Sequence, residues 1–301
     1  MTDNKYAIVT IITASHYPYA AVLYDSLCLN IDFPFDFYVL VVDGDIKHKV
    51  HSSIKIIEPV DLGKGSHIQG LHSRYYTADK LDEYRWSLKA PAVRFLLESY
   101  EAVLYCDSDL CFFSDASFLF QNLEEEDFLL TPHWFTQCLL NQPDYANNMH
   151  HGLYNAGFFG AAQGSEPILD WWAEQCLLEC RRSAKEGFFL DQGYLNLIPI
   201  RFDGVRVLKH RGLNVAGWNR AENVRSKKNE EVLINDEYPV VFIHFNPHTV
   251  ACTRNGNDPF LFRYLSIYAS GLRAFGIDLM VREKVSLLQR VIGNLRKILK
   301  C

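Results

Sequence analysis

The chain has 301 residues, 49% hydrophobic and 22% charged, with 30 Lys and Arg against 36 Asp and Glu for a net charge of −6. The apolar fraction excludes a disordered chain, and the length suffices for a large α/β domain that needs no disulfide staples. The acidic balance excludes a general nucleic-acid binder, which needs a basic surface to displace counterions.

Taken in chain order, residues 6–13 (YAIVTIIT) read as a buried strand and residues 19–29 as the helix after it. Residues 37–42 (FYVLVV) form a second strand, ended by Asp43-Gly44-Asp45, and residues 44–80 read as polar loop. Residues 82–100 have a helical pattern that Pro91 either kinks or enters in its first turn. The short strand 102–106 (AVLYC) runs directly into Asp107-Ser108-Asp109. Strand 157–161 and helix 168–180 continue the alternation, which predicts an α/β layer fold with a mostly parallel sheet. Trp171 and Trp172 are expected in the core, and His150-His151 in a loop without a role.

The eight cysteines include no Cys-x-x-Cys pair, so they read as small apolar residues of a reducing compartment. No stretch reaches the roughly 18 uninterrupted apolar residues of a membrane span, and Met1-Thr2-Asp3-Asn4-Lys5 lacks a signal-peptide layout. The expected location is cytoplasmic.

Ligands of open α/β sheets bind beyond the carboxyl ends of the strands, where Asp107 and Asp109 are expected. Two aspartates one residue apart can aim both carboxylates at one point, a hard oxygen set suited to Mg²⁺ or Mn²⁺. A solvated turn also accommodates Asp-x-Asp. The apolar runs on both sides favour a cation, since two carboxylates near a core are costly without one.

The run AVLYCDSDLCFF (residues 102–113) resembles the Asp-x-Asp region of glycosyltransferases with the GT-A fold. Tyr154-Asn155-Ala156-Gly157, Asp191-Gln192-Gly193-Tyr194-Leu195-Asn196 and Ile243-His244-Phe245-Asn246 follow in the order of segments in family-8 retaining glycosyltransferases. Residues 214–219 (NVAGWN) resemble a motif of related bacterial polysaccharide glycosyltransferases. The matches span residues 6–250. The resemblance implies a metal set of Asp107, Asp109 and His244, Mn²⁺ or Mg²⁺ as cofactor, and a UDP-sugar donor. It places Asn155 and Asp191 on donor-sugar hydroxyls, Gln192 beside the anomeric carbon, and Thr13 and Tyr19 at the uridine. Ser108 belongs to the same donor-binding turn, and Lys89 and Arg94 are the candidate basic residues for the diphosphate or sugar. Each role has a plainer alternative: a core histidine for His244, a helix N-cap for Asp191, surface ion pairs for Lys89 and Arg94, ordinary packing for Tyr19. Trp218 and Asn219 are acceptor-side candidates. The family has Gly and then Lys-Pro-Trp after its histidine; here Asn246-Pro247-His248-Thr249 stands instead, and Arg254 is the candidate for the missing charge.

From residue 277 the sequence becomes a basic pattern, with Val281, Val285, Leu288, Ile292, Leu295 and Leu299 on one helical face. The expected organisation is therefore a GT-A catalytic domain over 1–276 and a basic amphipathic helical tail over 277–301. An anionic membrane surface or a protein partner are both possible uses of the tail. The expected activity is metal-dependent transfer of a sugar to a saccharide or lipid-linked glycan, with retention. The alternatives are an inverting enzyme, a nucleotidyltransferase (disfavoured because Thr13-Ala14-Ser15-His16 replaces a Gly-rich loop), and a non-catalytic saccharide-binding protein.

Overall fold

The computed structural model describes residues 4–63, 66–134 and 150–280. In chain order it runs β1 (Tyr6–Ile12), α1 (Tyr17–Cys28), β2 (Asp36–Val41), β3 (Ile54–Ile57), α2 (Ser66–Tyr75), α3 (Leu81–Ser87) and α4 (Lys89–Leu96). Then follow β4 (Ala102–Cys106), β5 (Leu110–Phe112), α5 (Phe118–Leu123), β6 (Phe128–Pro132), β7 (Tyr154–Ala162) and α6 (Glu166–Leu178). The remainder is β8 (Arg182–Ser183), β9 (Phe188–Phe189), α7 (Ile198–Arg201), β10 (Val205–Val207), β11 (Arg225–Lys228), β12 (Glu231–Ile234), β13 (Tyr238–Pro239), β14 (Phe242–His244), α8 (Pro247–Arg254) and α9 (Phe262–Arg273).

Seven strands form one sheet in the order β10-β6-β7-β4-β1-β2-β3. Pairing is parallel except for β7, which runs antiparallel to both β4 and β6. Both faces of β1 are buried: Ala7, Val9 and Ile11 join one core with Leu96, Leu169 and Trp172, while Ile8 and Ile12 join the other with Leu23, Leu27 and Phe120. A strand covered on two faces has no reason to alternate with polar residues, and YAIVTII does not.

The 82–100 segment is two helices meeting at Leu88, and Pro91 falls in the first turn of α4, where its missing N–H costs nothing. Residues 44–80 hold more structure than loop: β3 extends the sheet, and α2 packs on α6, with Gly70 facing Leu177 so closely that a Cβ would come within 2.9 Å of its Cδ1. Trp172 is fully buried, as expected, and the six described cysteines are free thiols. The 277–301 tail lies outside the described residues from 281 onward. No helix among the described residues is long and apolar enough to cross a membrane.

Candidate metal centre

Three local features bring the site together at the carboxyl end of β4. The strand stops at Cys106, and Leu110 N donates to Asp107 O at 3.1 Å, closing a turn that presents Asp107, Ser108 and Asp109. The antiparallel neighbour β7 starts beside this turn, and Asp107 N donates to Gly157 O at 2.7 Å. Strand β14 pairs with β5 so that His244 lies opposite Leu110, next to Asp109. It ends there because Asn246 caps α8, accepting from Thr249 N at 2.8 Å, with Pro247 at the first helical position.

Asp107, Asp109 and His244 each offer a ligand atom within 4.8 Å of the others. His244 Nε2 is 3.1 Å from Asp109 Oδ1, and its Nδ1 is 3.3 Å from Asn214 Oδ1. Burial works against a charged His244, but the Asp109 carboxylate outweighs it and raises the imidazole's pKa; His244 in turn overcomes burial to lower that of Asp109. Gly157 forms the wall of the cluster. A Cβ there would come 2.6 Å from His244 Cε1 and 2.8 Å from Asp107 Oδ2. Two carboxylates, one imidazole and a cradle that only glycine leaves open fit a divalent cation such as Mn²⁺ or Mg²⁺.

Lys89 lies beneath the cluster, 3% exposed. Its Nζ is 3.5 Å from Asp107 Oδ1 and 3.2 Å from Asp191 Oδ2, and it donates to Ala156 O at 3.0 Å. Burial opposes its charge, but Asp107 and Asp191 prevail and raise its pKa. Burial, assisted by Asp107, raises the pKa of Asp191 in spite of Lys89. The Asp191 side chain makes no N-cap hydrogen bond to the short helix that follows; it faces Lys89 instead, while Trp172 Nε1 holds its main-chain oxygen at 2.9 Å.

The amides beside this pair are pinned. Gln192 Oε1 accepts from Ala156 N at 3.0 Å, and its Nε2 donates to His151 O at 2.8 Å. Asn155 Oδ1 accepts from Gly157 N at 2.9 Å, and its Nδ2 donates to His133 Nε2 at 2.9 Å. Burial lowers the His133 pKa to about 3, so the ring is neutral, with its Nδ1 proton directed at Gly152 O.

Other candidates are distributed around the cluster. Thr13 Oγ1 lies 2.9 Å from His16 Nδ1 at the end of β1, and the Tyr19 ring packs 5.7 Å from that of His16. Burial, and after it the Asp109 charge, raise the Tyr19 phenol's pKa. Ser108 is half-buried in the Asp-x-Asp turn. Trp218 stands edge-on to His244, with ring centroids 5.2 Å apart. Asn219 is 1% exposed and braces a turn, accepting from Ala216 N and donating to Asn214 O. Arg94 is not brought to the cluster; it pairs with Glu98 and Asp170. Arg254 donates to Leu279 O.

Several participants carry no sequence signal of their own. Tyr105, two positions before the Asp-x-Asp pair, donates its OH to Asp107 Oδ1 at 2.6 Å. Arg85 pairs with Asp82 at 3.0 Å and adds its positive field to Asp107 and Asp109. His133 holds the polar end of Asn155, while Asn214, which holds that of His244, opens the 214–219 (NVAGWN) segment and does carry a signal. A separate cleft of about 860 Å³ opens beyond β2, lined by Asp43, His72, Tyr76 and Tyr84 among others, and includes none of the cluster residues.

No protein-family model matches the chain. It is 29% identical over 259 residues to the uncharacterized protein YfnF of Bacillus subtilis strain 168, covering 81% of this chain and 82% of that one. It is 26% identical over 234 residues to the uncharacterized YfnD of the same organism, covering 74% and 72%. Among solved structures it is similar to galactosyltransferase LgtC in complex with donor and acceptor sugar analogs, at a TM-score of 0.55 and 16% identity, covering 88% of this chain and 95% of LgtC. An active-site Gln-to-Glu mutant of LgtC matches at a TM-score of 0.56 and 16% identity, over 86% and 95%. The chain has the GT-A fold seen in these glycosyltransferases.

Proposed function

We propose that this chain is a glycosyltransferase that binds a nucleotide-diphospho-sugar, UDP-linked, through a divalent cation held by Asp107, Asp109 and His244. The observation that carries this reading is the convergence of those three ligand atoms within 4.8 Å at the carboxyl edge of a GT-A sheet. When bound, the cation neutralises the donor diphosphate as the glycosidic bond breaks.

The chain's own residues supply the remaining work. Lys89 fixes the Asp107 and Asp191 carboxylates relative to each other and keeps an opposite charge beside Asp191. Asn155 keeps one amide hydrogen and one lone pair beyond its two internal bonds, and these bond donor-sugar hydroxyls. Gln192, held flat between Ala156 N and His151 O, stands beside the anomeric carbon and stabilises an oxocarbenium-like state without acting as a nucleophile. LgtC also has an active-site glutamine, the one exchanged in its mutant structure. Thr13 and Tyr19 receive the uridine.

This arrangement favours retention, in which the departing phosphate takes the acceptor proton on the same face. An inverting enzyme would need Asp191 as general base, and Lys89 at 3.2 Å already engages that carboxylate. The acceptor is a saccharide or lipid-linked glycan; a lipid-linked one would bring the basic 277–301 segment to an anionic leaflet. Thermal-shift measurements with UDP, with and without Mn²⁺, test the donor reading: stabilisation by UDP that needs Mn²⁺ and is lost in Asp109→Ala supports it. Equal stabilisation in all three conditions overturns it. The anomeric configuration of the product, read by NMR, separates retention from inversion.

A further inference from the structure

His244 must present an unprotonated Nε2 to serve as a ligand, and an imidazole does so only if its proton is kept on Nδ1. Asn214 is the residue that faces that nitrogen, with Oδ1 at 3.3 Å. It is fully buried and left-handed, with φ +54°, a conformation asparagine tolerates better than most side chains.

The turn carrying Asn214 is locked from several directions. Val215 N donates to Phe242 O at 3.1 Å and His244 N donates to Val215 O at 3.0 Å, so the turn is stitched to β14 itself. Asn219 Nδ2 donates to Asn214 O at 2.8 Å. Arg225 Nη2 reaches Ala216 O at 2.6 Å and Asn219 Oδ1 at 3.3 Å, and Arg225 Nη1 bonds Asn223 O. Arg225 Nε is in turn 3.2 Å from Asp258 Oδ2, with both side chains 1% exposed. A buried ion pair of this kind is weak evidence for stability and a better candidate for specifying one local geometry. Asn214 Nδ2 has no partner among the described residues, so the amide's one bonded end is the oxygen turned to His244.

We propose that Asn214 is the positioning residue of the metal centre: its carbonyl oxygen holds the His244 proton on Nδ1 and leaves Nε2 free to coordinate. The Asn219 amide and the Arg225–Asp258 pair keep Asn214 in its left-handed turn. This inference rests on the metal-site reading of Asp107, Asp109 and His244, and it assigns the selection of ligand geometry to a residue that touches neither cation nor substrate.

The test uses the full chain and three forms: wild type, Asn214→Gly and Asn214→Asp. Glycine accepts the positive φ and removes only the amide, whereas aspartate keeps an acceptor oxygen. Mn²⁺ affinity is measured by calorimetry without substrate, and the His244 Nδ1–H···Asn214 bond by the ¹H–¹⁵N resonance of that proton in the Mg²⁺-loaded protein, where the cation takes the Nε2 lone pair that otherwise faces Asp109. The expected result is a hydrogen-bonded, slowly exchanging Nδ1 proton in wild type, its loss together with about 10- to 100-fold weaker Mn²⁺ binding in Asn214→Gly, and recovery of both in Asn214→Asp. An Asn214→Gly protein with wild-type affinity and Nδ1 resonance overturns the proposal while leaving the metal site standing. A wild type that binds no Mn²⁺ overturns the metal reading and this inference together.

Discussion

Lys89 Nζ lies 3.2 Å from Asp191 Oδ2 with both side chains 3% exposed. This contact ties helix α4 to the segment after β9 across the bottom of the cluster, and Asp107 at 3.5 Å joins it to the Asp-x-Asp turn. Removing the Lys89 ammonium leaves the buried Asp191 carboxylate without its cation and takes one positive neighbour from Asp107, which keeps the Tyr105 hydroxyl. Lys89→Met is expected to lose about 3–5 kcal/mol of stability at neutral pH. Asp191 already has a raised pKa, so its charged form costs stability as pH rises through that value. The deficit of Lys89→Met should therefore shrink toward acid pH, where the orphaned Asp191 carboxyl takes up a proton. Urea denaturation of both proteins at two pH values checks this; an equal deficit at both contradicts it.

Gly157→Ala adds one methyl group where His244 Cε1, Asn155 Oδ1 and Asp107 Oδ2 already stand within 2.8 Å of a Cβ position. All three belong to the site rather than to the hydrophobic cores. The variant is expected to fold, with Mn²⁺ affinity reduced about 10- to 100-fold, the scale of disturbing a ligand's support. Calorimetric titration checks the affinity and a melting curve checks the fold.

Metal binding should depend on pH through His244. Its pKa lies above the ordinary 6.5 because Asp109 favours the charged ring, and a proton on Nε2 competes with a cation for the same lone pair. Mn²⁺ affinity is expected to keep rising as pH climbs through that raised value, past the point where an ordinary histidine would have levelled off. In metal-free protein the sign is opposite. The stability that His244 draws from Asp109 is present below the unfolded-state pKa and is lost as pH rises through the folded one, while the Asp109 share is lost only as pH falls through its own lowered value. Melting curves with Mn²⁺ and with chelator should therefore diverge as pH increases; parallel curves contradict the pairing.

Arg94 supplies the contrast. Its guanidinium is 3.8 Å from Glu98 and 3.5 Å from Asp170, both more than half exposed. Arg94→Ala should change stability by no more than about 1 kcal/mol and leave UDP release from the donor unchanged. A large activity loss in this variant would give the residue a role its present contacts do not.

Much of the site was legible in the sequence because it is built from strand ends. A buried strand followed by Asp-x-Asp, a short Asn-Ala-Gly run and an isolated His between apolar residues each announce where a sheet stops, and the sheet brings those ends together. The supporting shell was not legible. Tyr105 reads as one more core aromatic until its hydroxyl is seen on Asp107, and Asn214, although it opens the NVAGWN segment, meets His244 only when β14 pairs with β5 and carries the histidine to it. The choice between Lys89 and Arg94 also needed the fold: they stand five positions apart on one helix, far enough round its axis that one faces Asp191 and the other Asp170. Helix α2 leaves no apolar stripe to read because SHIQGLHSRY is polar, with a single glycine whose place is explained only by Leu177 on the facing helix.

The most direct measurement is UDP release by the full chain from a panel of UDP-sugars, with Mn²⁺ or with a chelator. The account predicts release from at least one donor in Mn²⁺, none in chelator, and none from Asp109→Ala under either condition. Release that persists in chelator and in Asp109→Ala would contradict a catalytic metal centre built on Asp107, Asp109 and His244.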